Sequence, residues 1–285
     1  MNLNIKELLS ISRPRFWMYV LGTFLVGMIS SGNPFNYDTE TTILLVVFSI
    51  FFSFPANLLI YGVNDIYDYE TDILNDKKSN YEKILSPAKH KKLWMIICLL
   101  TFPFITCFFF VSTYTLCAIV VFIFMGLFYS APPIRAKSKP PLDILFSSII
   151  YISPGIIGFL ITGNTKVQWL AVLGGLIWAS AMQTYSAVPD IKADRASGVE
   201  TLATKLGHRK ALWFCLLAYL LSSIIGTIYV GTVAVLFGTV YVVVVALSLY
   251  NSTKVFKYYT YFPLINIIGG TVLFFYLFLN TLVLL

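Results

Sequence analysis

The chain has 285 residues, 58% of them hydrophobic and 12% charged, about half the charged share of a typical soluble domain. With a mean hydropathy of +0.81, this excludes a water-soluble globular protein and reads as an integral membrane protein throughout. The net charge of +7 would suit a nucleic-acid binder, but its distribution along the chain excludes that reading.

Apolar runs of spanning length predict helices at 14–31, 41–64, 92–111, 114–130, 141–162, 168–188, 211–229, 231–250 and 261–284. The expectation is an all-α bundle of nine transmembrane helices in a single domain, 1–285. The third and fourth helices, and the seventh and eighth, are joined by so few residues that each pair reads as a tight antiparallel hairpin. The first apolar run ends without a small-residue cleavage site, so the first helix is expected to be retained. Cys98, Cys107, Cys117 and Cys215 lie inside apolar runs with no metal-ligand spacing.

Nine spans place alternate loops on opposite sides. Of the 20 Lys and Arg residues, all but Lys166 then fall on the side of the N-terminus. The positive-inside rule makes that side cytoplasmic and the protein a multi-pass plasma-membrane protein. The basic balance is a topology signal, with no nucleic-acid partner implied. The two long loops, roughly 65–91 and 189–210, share the cytoplasmic face, and each opens with an aspartate cluster.

The first cluster is Asn64, Asp65, Asp68 and Asp72; the second is Asp190 and Asp194. An Asp near the centre of a membrane helix costs about 2.5–3.5 kcal/mol, so these acids belong near the water interface, facing something positive. Spacings of three and four put Asp65, Asp68 and Asp72 on one face if the helix continues past Asn64. Asp190 and Asp194 are likewise one turn apart. Mg2+ prefers oxygen ligands and shares carboxylates with substrate phosphates. Two facing Asp-rich helix ends are what a diphosphate held by Mg2+ needs.

Arg135 and Lys137, at the end of the fourth helix, and Arg195, next to Asp194, can contact diphosphate oxygens as charged donors. Arg13 and Arg15 read as lipid-headgroup anchors. Asn57, Gln183, Thr184 and Tyr185 either line the cavity or bond neighbouring helices. A few of the many rings can shield a carbocation through their π faces, without the sequence saying which. No P-loop, His-rich metal motif or Ser-His-Asp arrangement is present.

These residues resemble the UbiA superfamily of membrane prenyltransferases. Asn64, Asp65, Asp68 and Asp72 fill its NDxxDxxxD pattern. Asp190 and Asp194 fill its DxxxD pattern, followed by the family-like Arg195, Gly198, Thr201-Leu202 and Leu206-Gly207. The stretches 12–17, 129–137 and 185–195 resemble its lycopene elongase branch, which makes C50 carotenoids, although Lys192 stands where an acidic residue is common. The resemblance implies that Asn64, Asp68, Asp72, Asp190 and Asp194 hold Mg2+ and an allylic diphosphate, the four aspartates being catalytic. Asp65 would stand behind them. Arg135, Lys137 and Arg195 would contact the diphosphate.

It further implies a dimethylallyl donor and a lipophilic acceptor, such as lycopene, entering from the membrane. Aromatic, quinone-precursor or glycerol-phosphate acceptors are the alternatives within the family. A membrane transporter is the alternative outside it. Oligomeric state is not legible.

Overall fold

The computed structural model describes residues 3–32, 36–73 and 84–284. Lys77, Lys78 and Lys83, used in the charge count, lie outside them. Among the described residues the structure is helical, with no strand.

The chain opens with a short helix, α1 (Ile5–Ser12), which has a capping box between Asn4 and Glu7. It packs on α3 (Thr39–Tyr67) and is tied by an ion pair from Glu7 to Lys89. A 3-10 turn, Pro14–Phe16, leads into α2 (Trp17–Ser30). α4 (Tyr69–Asp72) follows α3 after a break at Asp68. Then come α5 (His90–Ile105), α6 (Thr113–Ser130), α7 (Leu142–Ile161) and α8 (Trp169–Ala187). Two short helices, α9 (Ile191–Ala196) and α10 (Leu202–Leu206), precede α11 (His208–Val230) and α12 (Thr232–Tyr250). α13 (Val255–Tyr259) and α14 (Phe262–Leu284) end the chain. The packing forms a ring: α2 contacts α3, α7 and α14, while α8 and α11 pack side by side.

Each predicted segment carries a helix. Among the described residues seven helices are long and apolar enough to cross a membrane. α2 and α8 fall short of that measure for different reasons. α2 has 14 residues, about 21 Å of helix against a hydrocarbon core of about 30 Å. α8 is long enough but carries Gln183, Thr184 and Ser186 near its end, and Gln183 and Ser186 line the cavity described below. α3, at 29 residues, is about 44 Å long. It overshoots the apolar layer and carries its acidic end to the interface. Large apolar side chains exposed around the bundle, such as Phe109, Leu217, Ile224 and Leu236, suit lipid and would be a liability in water.

Asp38 starts α3 by accepting a hydrogen bond from the Thr41 N–H at 2.7 Å, which holds its carboxyl below the usual range. Pro55 removes one backbone donor from the middle of α3. The Asn57 side-chain amide donates to the Phe52 and Ser53 carbonyls of that turn, at 3.0 and 2.5 Å. Asn57 therefore turns its amide onto carbonyls of its own helix and does not line the cavity.

α2 and α7 meet backbone to backbone. A Cβ on Gly27 would lie 1.8 Å from the Gly155 carbonyl oxygen, and one on Gly158 would lie 2.3 Å from that of Phe24. Only separating the helices relieves such an overlap. Gly27→Ala is expected to cost at least about 3 kcal/mol, the upper end for overpacking. Thermal unfolding in detergent measures this, and a wild-type melting temperature would contradict the contact.

Candidate active site

A cavity of about 220 Å³ opens where the two acidic segments meet. Asn64 and Asp68 reach it from α3, Thr71 and Asp72 from α4, Asp190 and Asp194 from α9 and the residue before it, and Lys137 from the α6–α7 connection. The seven residues come from three separate stretches of chain, and the fold brings them to one mouth.

The local geometry explains each placement. α3 runs unbroken through Asn64 to Tyr67 and stops at Asp68 (φ −106°, ψ 4°), after which α4 restarts the chain. The break redirects Asp68 and Asp72. Asp65, still inside α3, does not line the cavity. It is buried instead against Arg13, whose Nη2 lies 2.7 Å from Asp65 Oδ1. The common face expected for Asp65, Asp68 and Asp72 is thus broken, because it presumed an unbroken helix.

Asp68 is 2% exposed and has partners from two stretches of chain. Asn64 Nδ2 donates to its Oδ2 at 2.5 Å, and Lys137 forms an ion pair with the same oxygen. Arg135 stands 3.8 Å from Oδ1 and donates to the Tyr67 carbonyl at 3.3 Å. Oδ1 has no hydrogen-bond partner among the described residues. Arg13 and Arg135, at φ 52° and 48°, occupy the left-handed region that non-glycine residues rarely adopt. Strained backbone of this kind clusters at functional sites and costs of order 1–3 kcal/mol each.

The second cluster is pinned from behind. Asp190 precedes the first turn of α9, and Asp194 N–H donates to its carbonyl at 2.9 Å, putting both acids one turn apart. Gly198, at φ 68°, turns the chain where a side chain would be strained. Arg195 is not in the cavity wall; its Nη2 donates to the Thr204 carbonyl at 2.9 Å and ties α9 to α10. Asp143, 3% exposed at the start of α7, accepts from the Leu202 N–H at 2.6 Å, which fixes the same loop to the bundle.

Sequence reasoning missed Arg13, which lines the cavity and has its guanidinium carbon 4.7 Å from the Tyr61 ring centroid. Pro14 was the available signal, since a residue before proline is driven out of the helical region. Of the polar trio on α8, Gln183 faces the cavity and donates to the Tyr129 hydroxyl at 2.8 Å. Thr184 bonds within its helix, and Tyr185 bonds Ser248 of α12.

The wall away from the acids is aromatic, with Phe16, Tyr19, Tyr61, Tyr151 and Phe262 lining it. An acidic and basic mouth over an apolar chamber can hold an anionic head group and keep water from an attached hydrocarbon. The donor set at the mouth is oxygen only, which suits a hard cation such as Mg2+. Among the described residues no group of three or more His, Cys, Asp or Glu side chains could hold an ion by itself. A magnesium ion commonly takes one or two carboxylates and completes its shell with water and substrate phosphate. Asp68 Oδ1, buried and without a hydrogen-bond donor, is suited to be one of them.

The model of the UbiA prenyltransferase family matches residues 19–281. The chain is 36% identical over 218 residues to a lycopene elongase/hydratase of Halobacterium salinarum, covering 76% of this chain and 78% of that protein. It is 30% identical over 274 residues to one of Haloferax volcanii, covering 91% and 84%. A UbiA homolog from Archaeoglobus fulgidus, solved bound to DMAPP and Mg2+, superposes with a TM-score of 0.67 at 16% identity, covering 95% of this chain and 98% of that one. The fold, the two acidic motifs closing one cavity and the match over most of the chain lead to one conclusion: the protein belongs to the UbiA prenyltransferase family and is an integral-membrane prenyltransferase.

Proposed function

We propose that the protein transfers a dimethylallyl group from its diphosphate to lycopene or a related carotenoid, with Mg2+, at the cytoplasmic face of the plasma membrane. The convergence of Asp68, Asp72, Asp190 and Asp194 with Lys137 and Arg13 at the mouth of an aromatic chamber carries this reading. The names of the relatives, and the DMAPP and Mg2+ bound by the solved homologue, support donor, metal and acceptor. The charge split supports nine crossings with the N-terminus inside.

In this reading Asp68, Asp72, Asp190 and Asp194, with the Asn64 amide oxygen, hold the metal and through it the diphosphate. When bound, Mg2+ supplies Lewis-acid stabilisation of the leaving group. Lys137 and Arg135 contact the diphosphate oxygens as charged donors. Arg13, on the cavity wall, fixes Asp65 and the end of α3, and Arg195 acts from behind by fixing the α9–α10 loop. The donor's carbon–oxygen bond breaks and leaves an allylic cation. The ring faces below shield it, and the apolar bundle excludes water. An acceptor double bond attacks, a carbon–carbon bond forms, and one proton leaves the acceptor.

The test is product mass. Protein in detergent, given dimethylallyl diphosphate, lycopene and Mg2+, is expected to yield carotenoids longer by one and two five-carbon units. Transfer to an aromatic acceptor but not to lycopene would overturn the acceptor and keep the chemistry.

A further inference from the structure

We propose that Tyr151, braced by Tyr19 and accompanied in the cavity wall by Tyr61, is the stop that limits the donor to a single isoprene unit. The inference rests on the prenyl-transfer reading above and adds to it the residue that sets donor length.

The three tyrosines come from three helices and meet beneath the acids. Tyr61 on α3 and Tyr151 on α7 both line the cavity. Tyr19 on α2 packs its ring edge-on to Tyr151, with centroids 5.8 Å apart at 78°. Arg13 caps the Tyr61 ring from the acidic side. Together they join α2, α3 and α7 in one layer across the cavity. Among the described residues, nothing on α2 beyond Tyr19, or on α7 beyond Tyr151, lines the cavity.

The chamber is also blind below that layer. The glycine contact of α2 and α7 closes the helices together one to two turns deeper. The fully buried Phe24 and Phe52 rings, 5.1 Å apart, fill the space on the α3 side. Tyr61 lies seven residues before Asp68, about 10 Å along the helix axis. That distance must hold the diphosphate, its metal and the hydrocarbon of the donor. A dimethylallyl group ends at the tyrosine layer. A second isoprene unit has to displace the Tyr151 ring, which its edge-on contact with Tyr19 holds in place.

The experiment compares dimethylallyl and geranyl diphosphates, each with lycopene and Mg2+, using the full-length protein in detergent. The readout is the ratio of kcat/KM for the two donors, which a purely structural role would not move. Wild type is expected to favour the five-carbon donor at least about 100-fold, since a pocket already rejects one misplaced methylene by 10–200-fold. Tyr151→Leu is expected to raise the geranyl share at least about tenfold. Tyr151→Phe, which keeps the ring, is expected to keep the wild-type ratio.

Equal use of both donors by wild type, or an unchanged ratio in folded Tyr151→Leu, overturns the inference and leaves the transfer reading standing. If Tyr151→Leu fails gel filtration, Tyr19→Leu opens the same layer and must move the ratio the same way. Turnover of neither donor by wild type overturns both readings.

Discussion

Asp190→Ala is expected to lower prenyl transfer at least about a thousandfold, some 4 kcal/mol of transition-state stabilisation, while leaving the melting temperature near that of wild type. Asp190 is half-buried at the cavity mouth. Its side chain makes no cap hydrogen bond at the start of α9, where its carbonyl accepts from the Asp194 N–H. Asp68→Ala should lose as much activity but also stability. Its carboxylate is 2% exposed and paired with Lys137, and removing one partner of a buried pair costs about 3–5 kcal/mol. The two aspartates therefore separate in a joint measurement of turnover and thermal unfolding. An Asp190→Ala protein that retains Mg2+-dependent turnover would contradict its role at the mouth.

Lys137→Met is expected to destabilise the protein by about 3–5 kcal/mol, because it strands the Asp68 carboxylate away from water. The Lys137 side chain is 13% exposed. Arg135, at 3.8 Å and 41% exposed, is too distant and too solvated to replace it. Adding Asp68→Asn to Lys137→Met removes the stranded charge and should recover much of the loss. That positive coupling is readable in a double-mutant cycle. The double variant should remain inactive, since both the proposed metal ligand and the proposed diphosphate contact are gone. Additive losses would mean that the two groups do not meet in the folded protein.

The helices were legible because apolar runs of spanning length leave few alternatives in a lipid-soluble chain. Their ends were less so. α3 was expected to stop at 64 and runs to Tyr67, with a restart after Asp68. Nothing in the spacing of Asp65, Asp68 and Asp72 reveals a break between them, and that break decides which acids face the cavity. The two motifs named segments that the fold brings to one cavity, and the family match decides between the enzyme and the transporter alternative. What spacing could not show was partnership across the bundle. Arg13 and Asp65 are 52 positions apart, and nothing in the local pattern around either one points to the other.

Asp143 was overlooked for a different reason. An acid inside the predicted span 141–162 carries the same insertion cost as the motif aspartates, and that cost was the signal for its buried bond to Leu202. The rings of the chamber could not be read at all. With 18 Tyr and 24 Phe in the chain, only tertiary packing separates Tyr61 and Tyr151 from those that face lipid.

The most direct test of the account is diphosphate release from dimethylallyl diphosphate by the purified wild-type protein with lycopene, with Mg2+ or with a chelator. The account predicts release that requires both Mg2+ and acceptor, one diphosphate for each carbon–carbon bond formed. Release that ignores the chelator, or none with any allylic donor while the protein remains folded, would contradict it.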